Sequence, residues 1–439
     1  MFWQYIPFNN SSKQRVKSLV MPYTAKTLLA GSLRVFSGSV TQQESKFVLH
    51  FHSPPLTRRS CRALANVQAS MGISPAQHGV GEDVEMTENG ATEGGLPENV
   101  VAQIDETHLA LSVVRKKRKP APGYATLAEV KGYKLVHTIP SLHSASPAGI
   151  TALALSRTNP SQFLTGGNDR TVQLYDRSTD KVLASLKGHT KKINHVAFRE
   201  KDGENTILLS ASADKIAKAW ALDSASGEYI PKTTVHVHKG ELSGLSVHPT
   251  SSFFVLASTD KTYSVHDISN FSQIFRSAPS DEAFSSLSIH PDGCLIGLGT
   301  PSSTIQIYDI RTGGIAASLA PSDVPPFTIN SLSFSENGYH LLAPSSLSSV
   351  AVWDLRKQKA TQTISLGDDF KISNVLYDPS AQFLGVSGNR GVKIFAHKTW
   401  EEMLSLEEGL EVSAFAFGEL GKEIWNAGGR EVKIWSLPA

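Results

Sequence analysis

The stretch Val172-Gln-Leu-Tyr-Asp176 is a short alternating run that ends in an aromatic residue followed by an acid. Comparable short runs, each ending in an aromatic residue or a histidine, recur along the rest of the chain. The residues at this position are Tyr175, Trp220, His266, Tyr308, Trp353, Phe395 and Trp435. They are separated by 45, 46, 42, 45, 42 and 40 residues, which is the period of a four-stranded propeller blade. The pattern predicts an all-β fold, a seven-bladed β-propeller.

The two ends of the repeat region predict how the ring closes. Residues 436–439 are too few to form another strand after the last tryptophan, whereas residues 133–139 alternate well before the first unit. Residues 133–140 are therefore predicted to supply the fourth strand of the last blade, so that the propeller spans residues 133–439. Closing the ring in this way removes the exposed sheet edges that an open array would have.

One unit contains residues spaced like the stabilising tetrad of WD repeats. The set is His189, Ser210, Asp214 and Trp220. The first three units have turn aspartates at the same place, Asp169, Asp214 and Asp260, and the other four have Ser302, Leu347, Asn389 and Gly429. A catalytic Ser-His-Asp arrangement is the alternative. We prefer a structural network, because the repeat pattern accounts for the same residues and buried polar groups need partners.

The composition argues against several classes of protein. The 439 residues have a net charge of +2, so bulk charge does not predict nucleic-acid binding. Two cysteines, Cys61 and Cys294, cannot form a disulfide framework or a multi-cysteine zinc site. No run of about 18 apolar residues occurs, so we expect no transmembrane helix and no membrane partner. The repeats contain no phosphate-binding glycine loop, metal-ligand cluster or nucleophile elbow, so we expect no cofactor and no catalytic residue.

The first quarter of the chain differs from the rest in charge. Residues 1–80 hold nine basic residues and one acid, whereas residues 81–114 hold eight acids and no Lys or Arg. We predict that residues 1–82 are an atypical basic segment, disordered or arising from an alternative first exon or a gene-prediction error. A mitochondrial transit peptide is the alternative.

Residues 83–132 are predicted to be a linker with three parts. An acidic flexible stretch comes first, and a short helix within residues 96–114 follows, with Val100, Ile104 and Leu111 on one side. The third part is a basic run that is a nuclear-localisation candidate. It consists of Arg115, Lys116, Lys117, Arg118 and Lys119.

Several stretches together resemble the pre-mRNA-processing factor 19 family. They are Leu186-Lys-Gly-His-Thr-Lys-Lys-Ile193, Leu142-His-Ser-Ala-Ser146, Phe334-Ser-Glu-Asn-Gly-Tyr339, Val352-Trp-Asp-Leu-Arg-Lys357, and Leu96-Pro-Glu-Asn-Val-Val101 with the basic run that follows it. The resemblance covers about residues 83–439. It implies a nuclear subunit of the spliceosomal Nineteen complex. In that family a U-box ubiquitin-ligase domain and a tetramerising coiled coil precede a WD-repeat propeller that recruits partners.

The resemblance does not extend to the ligase part of the family. Residues 1–80 show none of the U-box pattern, and residues 1–95 show no heptad run for the coiled coil. We therefore assign no ligase residue and expect this chain alone not to transfer ubiquitin. The preferred hypothesis is a splicing scaffold that binds protein partners. The alternatives are an E3 ubiquitin ligase that selects substrates through the propeller, if a longer isoform supplies the U-box, and a generic WD-repeat scaffold outside splicing.

Five cations are predicted to share one rim of the propeller. Lys191 and Lys192 follow the Gly-His pair between two blades, and Arg170, Lys215 and Lys261 directly follow the turn aspartates. In WD propellers that loop and that turn lie on the same face, so the rim is a candidate site for an acidic partner. The alternative is plain solvated charge, since a basic residue after the turn aspartate is ordinary in these repeats. Direct RNA binding is not expected, because no aromatic residues interleave with these cations to stack bases.

Overall fold

The described part of the chain is a propeller with a preceding linker. A computed structural model describes residues 95–117, 120–147, 149–321, 324–407 and 411–438, all of which belong to one unit spanning residues 84–439. The predictions for residues 1–82, and for the acidic stretch up to residue 94, lie outside the described residues.

Within these residues, seven antiparallel sheets of four strands form the blades, which confirms the predicted seven-bladed WD-repeat propeller. The strand that precedes blade 1 is β1 (Lys134–Ile139). Blade 1 contains β2 (Ile150–Leu155), β3 (Gln162–Gly167), β4 (Val172–Asp176) and β5 (Lys181–Leu186). Blade 2 contains β6 (Ile193–Arg199), β7 (Ile207–Ser212), β8 (Ala217–Leu222) and β9 (Tyr229–Val235). Blade 3 contains β10 (Leu242–Val247), β11 (Phe253–Ser258), β12 (Tyr263–Asp267) and β13 (Gln273–Arg276).

The remaining blades follow the same order. Blade 4 contains β14 (Ser286–Ile289), β15 (Leu295–Gly299), β16 (Ile305–Asp309) and β17 (Gly314–Leu319). Blade 5 contains β18 (Ser333–Phe334), β19 (His340–Pro344), β20 (Ser349–Asp354) and β21 (Lys359–Ser365). Blade 6 contains β22 (Ile372–Tyr377), β23 (Phe383–Gly388), β24 (Gly391–Ala396) and β25 (Glu402–Glu407). Blade 7 contains β26 (Ala414–Phe417), β27 (Glu423–Gly428) and β28 (Glu431–Ser436), with a 3-10 turn at Glu419–Gly421.

Blade 7 takes its fourth strand from the other end of the propeller. β1 pairs antiparallel with β28, and Ile139 lies opposite Val432. Ile139 is 2% exposed and belongs to one apolar cluster with Phe163 of blade 1 and Trp425 of blade 7. The same cluster therefore holds β1 in its sheet and joins the last blade to the first.

Small residues allow neighbouring blades to pack closely. A Cβ added at Gly166 would lie 2.6 Å from the Ile193 side chain of the next blade. At Gly385 it would lie 2.5 Å from the Phe415 ring. Both separations are shorter than van der Waals contact, so a larger residue at either glycine would push two blades apart.

The linker lies on the propeller through two helices. α1 (Glu98–Lys117) buries Val100 and Ile104 in an apolar cluster with strands of blades 3 and 4, whereas Leu111 is half-buried. α2 (Leu127–Lys131) begins with a capping box in which Thr126 and Glu129 exchange hydrogen bonds, and it buries Val130 beside blade 6. α1 continues through the start of the basic run.

We predict that β1 contributes to stability through its buried residue. Ile139→Ala should lower the free energy of unfolding by about 2–5 kcal/mol, because it leaves a cavity at the seam between the last and first blades. Val136→Ala, at a position of the same strand that is 44% exposed, is the matched control and should change it by less than about 0.5 kcal/mol. Denaturant unfolding measures both. Equal effects of the two substitutions would show that β1 does not seal the ring.

Candidate functional site

The predicted tetrad forms a connected hydrogen-bond network in blade 2. His189 Nδ1 lies 2.9 Å from Asp214 Oδ2, and His189 Nε2 lies 2.9 Å from Ser210 Oγ. Trp220 Nε1 donates to Ser210 Oγ over 3.2 Å. The arrangement is consistent with an imidazole that donates from Nδ1 to the carboxylate and accepts the serine proton at Nε2. Each group therefore has a partner when the imidazole is neutral.

The network ties together two segments of backbone at one end of the blade. His189 lies in the loop between β5 and β6, and Asp214 lies in the turn between β7 and β8. The Thr190 amide donates to the same carboxylate over 2.8 Å. The loop that joins two blades and the turn within the second blade are thus fixed to each other, on one face of the ring.

The buried serine argues against a catalytic role for this arrangement. Ser210, His189 and Asp214 have the connectivity of a hydrolase triad, with the serine and the acid on opposite nitrogens of the imidazole. Ser210 is 0% exposed, however, and the Trp220 indole already donates to its oxygen. A substrate carbonyl cannot reach that hydroxyl, so the geometry favours the structural role.

Blades 1 and 3 contain related networks with different members. In blade 1, His143 Nδ1 and Nε2 each lie 2.9 Å from an oxygen, of Asp169 and Thr165 respectively. In blade 3, His238 Nδ1 lies 3.0 Å from Asp260 Oδ2, and its Nε2 lies 2.8 Å from Ser264 Oγ. Sequence reasoning missed His238. The available signal was a histidine 22 residues before the turn aspartate, against 25 in blade 2.

The other blades use different groups at the aspartate position. Ser302 donates to the Glu282 carboxylate, and the Asn389 side chain accepts from the Lys371 amide over 2.7 Å. Leu347 is 73% exposed, and Gly429 adopts a left-handed φ of 56°. The His-Asp pair is therefore a feature of blades 1 to 3.

Two further histidines join neighbouring blades on the opposite face. The Nε2 atoms of His248 and His290 lie 2.9 and 3.0 Å from the carbonyl oxygens of Gly293 and Gly338 in the following blade. Burial lowers the pKa of both histidines to about 4 and outweighs the opposing effect of the carbonyl. They are neutral donors across the seam at neutral pH.

The electrostatics of the tetrad favour a neutral histidine beside an ionised aspartate. Burial raises the pKa of Asp214, but hydrogen bonds from the Thr190 amide and from His189 outweigh it, so the pKa is lowered. Burial lowers the pKa of His189 despite the neighbouring carboxylate. Both groups bind fewer protons in the folded state than in the unfolded chain, so both make the fold less stable as the pH falls.

The predicted cation rim lies on the face that the tetrad fixes. All five side chains are exposed, and they come from blade-joining loops and from turns after the second strand, which share one end of antiparallel blades. They are Arg170, Lys191, Lys192, Lys215 and Lys261. Lys192 Nζ lies 4.0 Å from Glu241 Oε1, and Lys261 Nζ donates to the Asp281 carbonyl over 2.9 Å. The rim thus runs over blades 1 to 3 with Glu241 at its edge, a neighbour that the sequence did not predict.

Part of the nuclear-localisation candidate is docked on the propeller. Arg115 lies in the last turns of α1, and its guanidinium pairs with the Asp292 carboxylate of blade 4. Lys116 and Lys117 end α1, whereas Arg118 and Lys119 lie outside the described residues.

No described helix is long and apolar enough to cross a bilayer. The described residues contain no group of three or more His, Cys, Asp or Glu side chains placed to hold a metal ion.

Comparison with known proteins identifies the family. The chain is 33% identical over 375 residues to pre-mRNA-processing factor 19 of Bos taurus, covering 84% of this chain and 72% of that protein. The chain belongs to the pre-mRNA-processing factor 19 family. It is also 34% identical to the Oryza sativa subsp. japonica member and 30% identical to homolog 2 of Arabidopsis thaliana, over 67% and 69% of this chain. It spans 55% of the length of each of these plant relatives.

Repeat families match parts of the propeller. The WD domain, G-beta repeat family matches residues 134–176 and 180–221. The Nucleolar protein 10-like, N-terminal domain family matches residues 267–421. Together with its relatives, these matches support a WD-repeat protein related to pre-mRNA processing.

We predict that the Asp214 carboxylate stabilises blade 2 in a pH-dependent manner. Asp214→Asn should lower the free energy of unfolding by about 1–3 kcal/mol at about pH 7, because the His189 and Thr190 donors lose a charged acceptor. The stabilisation is present above the unfolded pKa of about 4 and is lost as the pH falls through the lower folded pKa. The gap between the variant and the unmodified chain should therefore narrow below about pH 4.

Denaturant unfolding at several pH values measures this gap. Asp202→Asn, at an exposed position in the same blade, is the matched control and should change little at any pH. A gap for Asp214→Asn that stayed constant down to the most acidic measurement would contradict a role for the ionised carboxylate.

Proposed function

We propose that this chain is a scaffold subunit of the pre-mRNA splicing Nineteen complex, which acts in the nucleus and binds protein partners through its propeller. The observation that carries the proposal is the 33% identity to pre-mRNA-processing factor 19 over 84% of this chain. The resemblance assigns partner recruitment to the propeller. A closed ring with hydrogen-bonded loops is a rigid base on which loops can present a binding surface.

We further propose that the cation rim of blades 1 to 3 binds an acidic protein segment. Lys191 and Lys192 lie in the loop that contains His189, and the Ser212 hydroxyl donates to both of their carbonyls. The Lys215 amide donates to the Ser212 carbonyl, so hydrogen bonds fix the backbone of all three lysines. When the backbone that carries charged side chains is already rigid, less conformational entropy is lost on ligand binding. Local positive potential of this kind steers acidic partners even when the whole domain is close to neutral.

The ubiquitin-ligase activity that the resemblance implies is a separate hypothesis. The described residues form the propeller and its linker, and the family assigns catalysis to a U-box instead. In such a ligase the propeller would select substrates. A reconstituted assay with a conjugating enzyme and ubiquitin distinguishes the hypotheses, and we expect no chain formation above the background without a ligase.

Charge reversal tests the rim. We expect that Lys191→Glu, Lys192→Glu and Lys215→Glu together reduce recovery of splicing proteins from nuclear extract by about tenfold and weaken its salt dependence, because the attraction for an acidic partner becomes repulsion. The matched control reverses Lys181, Lys359 and Lys398, which are equally exposed but lie away from the rim. Pull-down at low and high salt measures both variants.

The outcomes of this experiment test the rim proposal and the scaffold proposal separately. Loss with the rim variant and retention with the control variant support both proposals. Unchanged recovery and unchanged salt dependence of splicing proteins would exclude the rim and leave the scaffold role in place. Failure of the unmodified chain to recover splicing proteins, or its accumulation in mitochondria, would contradict the scaffold proposal itself.

A further inference from the structure

A groove lies between the linker helix and the face of the propeller opposite the rim. It encloses about 690 Å³ and is walled on one side by α1, through Asn99, Val100 and Gln103. The other side is formed by blades 2 and 3, at the ends of β6, β8 and β12 and the turns that follow them. Its volume falls in the range of sites that bind ligands or peptide side chains.

The floor of the groove is apolar. Phe253 and Ile268 are buried beneath it, at 3% and 2% exposure, and Ile207 and Phe271 are half-buried in its wall. Leu222, at the end of β8, is 43% exposed at its edge. A half-exposed leucine beside a concave apolar floor offers contact area to a partner side chain.

The edge of the groove is basic. Glu204 accepts from Arg199 over 2.5 Å and from Lys201 over 2.6 Å, so two cations share one carboxylate. Lys232 lies at the edge of the groove and has no carboxylate within 4 Å among the described residues. Beyond the groove lining, hydrogen bonds from Ser226 and, after them, the Lys232 charge lower the pKa of Asp223. Asp267 accepts a hydrogen bond from the Ser269 amide over 2.6 Å and keeps its negative charge. The groove thus has three cations against two carboxylates.

α1 is held firmly enough to serve as a wall. The Leu96 amide donates to the Arg311 carbonyl over 3.0 Å, and Arg311 Nη1 lies 2.7 Å from Asp105 Oδ1. Further along α1, Arg115 pairs with Asp292. Contacts at both ends of the helix therefore fix the exposed amide side chains of Asn99 and Gln103, which face the groove as hydrogen-bond donors and acceptors.

We propose that this groove binds a short acidic segment of a partner protein that carries at least one large apolar residue. The apolar residue fits the floor beside Leu222, the acid pairs with Lys232, and the α1 amides contact the peptide backbone. The chemistry favours protein over RNA, because Phe253 is buried and the partly exposed Phe271 has no second aromatic ring beside it in the groove lining on which successive bases could stack. The site is made jointly by the linker and the propeller and is independent of the cation rim.

Peptide selection followed by affinity measurement tests the groove. The probe is a displayed library of short random peptides, selected on the full chain and then resynthesised with a fluorescent label. We expect enriched peptides to combine acids with Leu, Ile or Phe. Lys232→Glu and Leu222→Asp, tested separately, should each weaken binding about tenfold, since they remove the ionic and the apolar contact respectively.

Matched controls separate this site from other surfaces and from loss of folding. Lys181→Glu and Ile315→Asp change exposed residues on the outer strands of blades 1 and 4 and should leave affinity unchanged. The rim variant with three reversed lysines should also bind normally, so the two sites can fail separately. Melting curves check that every variant is folded.

Three results would overturn the proposal. The first is a selection that enriches no acidic and apolar peptide. The second is peptide affinity that is unaffected by Lys232→Glu and Leu222→Asp. The third is tight binding of a short single-stranded RNA that these two substitutions abolish, which would assign the groove to nucleic acid instead.

Discussion

The structure depends on the pairing of β1 with β28. A sheet that ends without a partner exposes backbone donors and acceptors, and a ring of blades avoids this at its seam only by closing. Here the closing strand, β1, comes from the start of the repeat region. It lies beside β28, so strands from both ends of the propeller complete one sheet. The Ile139 side chain of β1 packs in the apolar cluster that blades 7 and 1 share.

The seam between the last and first blades uses a hydrogen bond that also occurs at the seam between blades 3 and 4. Ser413 donates its hydroxyl to the Ile150 carbonyl over 2.7 Å, across blades 7 and 1. Ser243 makes the corresponding bond to the Phe284 carbonyl over 2.6 Å, across blades 3 and 4. Closure therefore adds no special interface, and it gives the first and last blades the neighbours that every other blade has.

The sequence predicted the features that follow from the regular spacing of its repeats. Alternation with a repeat of 40 to 46 residues indicated the blades, since each repeat except the last forms one sheet from its own residues. The blade 2 tetrad was visible because all four members follow the family spacing, whereas His238 was missed because it lies 22 residues before its aspartate and His189 lies 25 before its own. The turn between the first two strands is shorter in blade 3 than in blade 2. Docking of α1 could not be predicted: Val100 and Ile104 mark an apolar face, but only the folded ring decides which blades receive it.

The linker makes the two faces of the ring structurally different. The rim lies on the loop that joins blades 1 and 2 and on the turns after the second strands of blades 1 to 3. α1 and α2 contact turns at the other ends of the strands, so they lie on the opposite face. On that face the chain covers blades 3 and 4 with α1 and blades 6 and 7 with α2 and Tyr133. The seam of blades 2 and 3 is left open beside α1, where the groove forms. Because the linker itself builds one wall, we expect a change that moves α1 to alter the groove while leaving the rim intact. The two proposed binding sites would then be separable, one on each face of the ring.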